Sequence, residues 1–69
     1  MTGLGMNELT ERQMEVLEMI SRGYTTKEIA LTLHVAERTV QLHNQEMKRR
    51  LGAVSRAHAV RLAFERGLL

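Results

Sequence analysis

Two copies of one helix-start signature punctuate this chain, Thr10-Glu11-Arg12-Gln13 and Thr25-Thr26-Lys27-Glu28. In each, the threonine hydroxyl is placed to accept a hydrogen bond from the amide three residues on. The Gln or Glu at that third position reaches back to the threonine amide. After the first box, Gln13, Val16, Leu17 and Ile20 recur at i, i+3, i+4, i+7, with Met14 at the edge of the stripe. Gly23 is a natural stop. After the second box, Ile29, Ala30 and Leu33 form a short inner stripe that runs to about His34. A third helical pattern begins at Glu37. Two helices joined by so few residues must cross steeply, which is a helix-turn-helix. Ala30 suits that crossing, because a larger side chain would push the following helix away.

The third pattern spans about 37–51 and ends at Gly52. Val40, His43, Asn44, Met47 and Leu51 share one of its sides. Ser55 is placed to cap a fourth helix over about 56–66, closed by Gly67. Ala59, Leu62 and Ala63 make one apolar edge of that helix, and Ala57, Val60 and Phe64 make a second. The expectation is an all-α domain of four helices, about 11–22, 26–34, 37–51 and 56–66, within a domain covering 9–69. Residues 1–8 contain two glycines and no periodicity, and are expected to form a flexible arm.

Composition narrows the class further. At 69 residues only one domain is expected, and it is marginal unless well packed. With no cysteine there is neither a disulfide nor a thiolate metal site, and with Tyr24 and Phe64 the only aromatics the core must be aliphatic. No apolar run is long enough to span a membrane and the N-terminus lacks a signal-peptide pattern, so a soluble cytoplasmic protein is expected. The net charge of +2 is unevenly spread. Through Tyr24, four glutamates face two arginines, a net −2. From Thr25 onward, eight Lys and Arg face four glutamates, a net +4. Such a split suits a polyanionic partner.

One surface is unusual. On the third helix the side opposite the core stripe carries Arg38, Gln41, Leu42, Gln45 and Arg49, flanked by Lys48 and Arg50. A leucine between two glutamines gains nothing from water. In a DNA major groove, however, glutamine can pair with adenine N6 and N7, and leucine can pack on a thymine methyl. An exposed leucine alone is ordinary; the helix-turn-helix context gives this one its meaning. Catalysis has no comparable support. His34, His43 and His58 lie on three separate segments, with no paired carboxylates, nucleophile set or Gly-rich loop around them. No enzyme, metal or cofactor is expected.

At this level of detail the chain resembles the DNA-binding domain of LuxR/FixJ/GerE-type bacterial transcription regulators. The matching motifs are LTxRxxxVLxxI at 9–20, GxxxKEIA at 23–30, RTVQxH at 38–43, RRLG at 49–52 and SRxxAVxxAxxxGL at 55–68. The resemblance implies a recognition helix at 37–51 in the major groove, with Gln41, Leu42 and Gln45 on base edges. It implies backbone contacts from Thr26, Lys27, Thr39, Lys48, Arg49 and Arg50, and Arg38 lies on the same side, where it could reach phosphates or guanine. It also implies dimerisation through the fourth helix on an inverted repeat, which would use the second edge, Ala57, Val60 and Phe64; so small a contact suits a weak homodimer on DNA. Double-stranded DNA is the expected partner, with RNA polymerase or another regulator as candidate protein contacts, in the cytoplasm at the nucleoid.

The chain departs from the family pattern at several points. Ala36 stands where a Ser or Thr cap is usual, Gln41 where a basic residue is common, and Glu46 adds a negative charge near the groove. Most members carry a receiver or ligand-binding domain upstream; the 69 residues hold none, and a stand-alone regulator is the expectation. The alternative is an interaction module that binds a larger regulator through helix 56–66.

Overall fold

Both threonine boxes close. Thr10 Oγ1 accepts from the Gln13 amide at 3.1 Å and Gln13 Oε1 accepts from the Thr10 amide at 3.0 Å. The Thr25–Glu28 pair makes the same two bonds at 3.1 and 2.8 Å. These boxes start α1 (Glu11–Ser21) and α2 (Thr26–Leu33), and α3 (Glu37–Leu51) and α4 (Arg56–Glu65) follow. Ser55 caps α4, its hydroxyl accepting from the His58 amide at 3.0 Å. This is a computed structural model that describes residues 9–69. The described chain is all-α with four helices, and the flexible arm expected over 1–8 lies outside it.

The four helices stop in the same way. At α1 the amides of Gly23 and Tyr24 donate to the carbonyls of Ile20 and Met19, at 2.9 and 3.0 Å. The same paired bonds run from Gly52 and Ala53 to Arg49 and Lys48, and from Gly67 and Leu68 to Phe64 and Ala63. At α2 they run from His34 and Val35 to Leu31 and Ala30, at 3.4 and 3.0 Å. The pattern needs one left-handed residue per helix end. Glycine supplies it three times, and at α2 it falls on His34, φ 60°. This corrects three expected ends by one residue. Arg22 and Arg66 have already left helical geometry, with φ near −90° and ψ near 0°, and His34 has reversed its φ. The helices therefore end at Ser21, Leu33 and Glu65.

The core is aliphatic, as composition required. Leu9, Val16 and Leu17 meet Ile29 and Ala30 of α2, Val40, Met47 and Leu51 of α3, and Ala59 and Ala63 of α4. Every helix thus donates to one shared core, with α3 packed on all of the other three. Two arginines tie the periphery. Arg56 donates to the Tyr24 carbonyl at 3.3 Å, joining the start of α4 to the α1–α2 turn. Arg66 donates to the Leu51 carbonyl at 3.0 Å, joining the ends of α3 and α4.

Candidate nucleic-acid interface

The inner side of α3 is held from end to end. Val40, Asn44, Met47 and Leu51 are buried, and Val40 and Met47 are sealed almost completely. Deep burial of one side fixes which residues the other side can show. Arg38, Gln41, Gln45 and Arg49 are exposed, and Leu42 keeps 49% of its surface in water among them. Arg38 and Arg49 stand eleven residues apart, about 16 Å along the axis. The face is therefore long enough to cross a major groove roughly 12 Å wide.

Around it, Lys27 is exposed on α2, while Thr26, Thr39 and Lys48 are half-buried. The start of α3 is the weak point. Ala36 makes no side-chain bond to the helix, and only backbone bonds from Thr39 and Val40 to its carbonyl close the first turn. Glu37 in that turn complements the helix dipole, as do Lys48, Arg49 and Arg50 in the last.

The basic cluster is not all free charge. Glu46 is gripped by Arg49 through both Nε and Nη2, and by Arg50 Nε at 2.8 Å. Those hydrogen bonds, first from Arg49 and then from Arg50, hold the Glu46 carboxyl down to about 2, and the same contact raises the Arg49 guanidinium. Three cations thus stand with one carboxylate, and two of the three are engaged by it. The expectation that Glu46 stands near the groove as a separate negative charge therefore needs amending: its charge is spent on its own helix.

On α4, Phe64 is 60% exposed and Ala57 is exposed, whereas Val60 is half-buried and packs against the core. The second apolar edge is thus split, with Val60 shared between core and surface. Arg61 and Glu65 pair at 3.0 Å beside Phe64.

Two residues escaped the sequence reading. Asn44 was legible as part of the buried stripe, but a buried amide also needs a partner, and its Oδ1 has none among the described residues. Arg56 matched the family motif without acquiring a role. Both line a groove with Gln41, Gln45 and Lys48. The signal that could have found Asn44 is the spacing of 41, 44, 45 and 48, four polar residues at i, i+3, i+4, i+7; Arg56, on another helix, had none. Among the described residues no cluster of three or more metal-ligating side chains occurs, and no helix is long and apolar enough to cross a membrane.

Comparison with known proteins places this geometry. Residues 7–63 match the family described as bacterial regulatory proteins, luxR family. The chain is 42% identical over 62 residues to the transcriptional regulatory protein YdfI of Bacillus subtilis (strain 168), covering 90% of this chain and 29% of that protein. It is 39% identical over 61 residues to the response regulator protein VraR of Staphylococcus aureus (strain Mu3 / ATCC 700698), covering 88% and 29%. Its fold superposes on the crystal structure of the response regulator ChrA of a heme-sensing two-component system with a TM-score of 0.85. That match has 28% identity and covers 88% of this chain and 30% of that one. The chain thus spans about three tenths of the length of these relatives. Over that span, it belongs to the LuxR family of bacterial regulatory proteins.

Proposed function

We propose that this chain is a sequence-specific DNA-binding unit that regulates transcription, inserting α3 into the major groove. The observation that carries the reading is the exposed Gln41–Leu42–Gln45 face on a helix whose other side is sealed into the core. Gln41 and Gln45 would read adenine edges and Leu42 a thymine methyl. Thr26, Lys27, Arg38, Thr39, Lys48, Arg49 and Arg50 would hold the backbone, which sets register and carries most of the salt dependence. The relatives, a transcriptional regulatory protein and response regulators, agree with this reading. It implies a site of action in the bacterial cytoplasm, on the nucleoid.

Pairing is the second part of the proposal. Phe64 and Ala57, with the outer part of Val60, form a small patch that a two-fold axis could bring onto itself. So small a contact makes a weak dimer that assembles on an inverted repeat. The exposed Phe64 also favours a second reading, in which α4 captures a larger regulator.

Binding sites selected from a random duplex pool, followed by salt titrations of the 69-residue chain on the selected and on a random duplex, test both parts. Affinity for each duplex should fall steeply as salt rises. The selected site should be an inverted repeat bound more tightly than its half, and Phe64→Glu should erase that advantage while preserving helicity. Affinity independent of salt would end the DNA reading. Full-site preference surviving Phe64→Glu would move the dimer face elsewhere.

A further inference from the structure

After the turn that ends α4, Leu68 and Leu69 lie against α1, and with Met14 they floor an open groove of about 340 Å³. All three are half-buried and pack on the core, so the floor is fixed in place. Exposed Glu11, Glu15 and Glu18 form the rim. Glu15 and Glu18 reach Arg12 and Arg22 only at 3.6 and 3.7 Å, with all four side chains in water. Glu11 has no ion-pair partner among the described residues. Pairs so exposed hold their charges weakly and exchange partners at little cost. An apolar slot with this rim suits an apolar side chain carried between cations.

The described residues contain that counterpart. Leu42 stands half in water on α3, with Arg38 one turn before it and Arg49 two turns after it on the same side. Glu46 beside it is already clasped by Arg49 and Arg50, so three arginines outweigh one glutamate there. A single copy cannot bring groove and leucine together. The groove lies on the side of α1 away from its buried Gln13, Val16 and Leu17, and Leu42 lies on the side of α3 away from Val40, Asn44 and Met47. Those buried sides pack on one another, so groove and leucine face outward from opposite sides of the pair.

We propose that the groove takes the α3 face of a second copy, with Leu42 on Met14, Leu68 and Leu69 and with Arg38 and Arg49 against the glutamates. Such a contact is heterologous. Each copy keeps one groove and one face open, so copies add as an open chain rather than closing as a pair. The contact is small and charged, hence weak and sensitive to salt. Its consequence rests on the DNA-binding reading above: a duplex and a second copy compete for α3, so free protein shields its own reading face until DNA displaces the neighbour.

The test is sedimentation equilibrium in a Phe64→Glu background, which removes the α4 patch from the measurement. At low salt the mean mass should rise with concentration past that of a dimer, and about 1 M salt should return it toward the monomer. Glu15→Lys and Leu42→Glu, both exposed changes, should each weaken association roughly tenfold, as like charges then meet across the contact, with helicity unchanged. Mixed in equal amounts, the two variants should form a pair that stops at two copies, because one keeps the α3 face and the other keeps the groove. Duplex carrying the selected site should dissociate the chains. If the duplex binds no protein while the mixture still pairs, the DNA reading falls and the contact stands. Protein that stays monomeric up to about 1 mM at low salt would overturn the proposal. So would association indifferent to either variant, a mixture that fails to pair, or chains that persist beside bound duplex.

Discussion

His34 carries the clearest local strain in the described chain. Its φ of 60° is the only positive value on a non-glycine residue there, where the other three helices use glycine. A Cβ in the left-handed region costs about 1–2 kcal/mol. The position is required because the paired bonds from His34 and Val35 must end α2 within a short connection. His34→Gly removes the clash but adds backbone entropy to the unfolded chain, worth roughly 0.5–1 kcal/mol against it. A net gain of about 0.5–1 kcal/mol is expected, or a melting temperature several degrees higher for a domain of this size. A variant that melts lower would mean that the imidazole makes a contact worth more than the strain. Ala36 is the companion case: no side chain caps α3, at a cost of about 0.5–2 kcal/mol relative to Ser or Thr.

At the scale of the element, α3 divides its charges between itself and its partner. Glu46 binds Arg49 and Arg50, so on the proposed reading a phosphate would have to compete for those guanidiniums. Glu46→Gln should free them. Affinity for random duplex should rise several-fold and the salt dependence should steepen by about one unit; an unchanged slope would place both arginines away from the DNA. The same substitution has a pH signature. The Glu46 carboxyl sits below its ordinary value near 4.5, at about 2, because Arg49 and then Arg50 bond to the ionised form. Its stabilisation is therefore complete above about 4.5 and is lost as pH falls toward 2. Because the group is exposed, the effect is small, and the variant should lack only that part of the acid limb.

Helix starts were legible in the sequence because a capping threonine and its partner are local, three residues apart. Ends were legible to within one residue, with a glycine marking three of them. The left-handed turn at His34 was not, since a histidine gives no sign of adopting positive φ until tertiary packing demands it. The exposed side of α3 was visible from periodicity alone. The Glu46 clasp and the Asn44–Arg56 groove were not, as both depend on which rotamers and which neighbouring helix close around them.

The described residues form a small body, 33 × 21 × 19 Å. Half-sites of an inverted repeat lie roughly 34–36 Å apart. On the proposed pairing one copy would cover one half-site, and reading and holding would both be done from α3 and its surroundings. The proposed division of labour follows: Gln41, Leu42 and Gln45 would distinguish sequences, and the surrounding cations would hold any duplex. The most direct measurement is the affinity of Gln41→Ala and Gln45→Ala for the selected site and for random duplex at one salt concentration. Each substitution should weaken the selected site by roughly 1–3 kcal/mol and leave random duplex nearly unchanged. Equal losses on both duplexes would contradict base reading by this face.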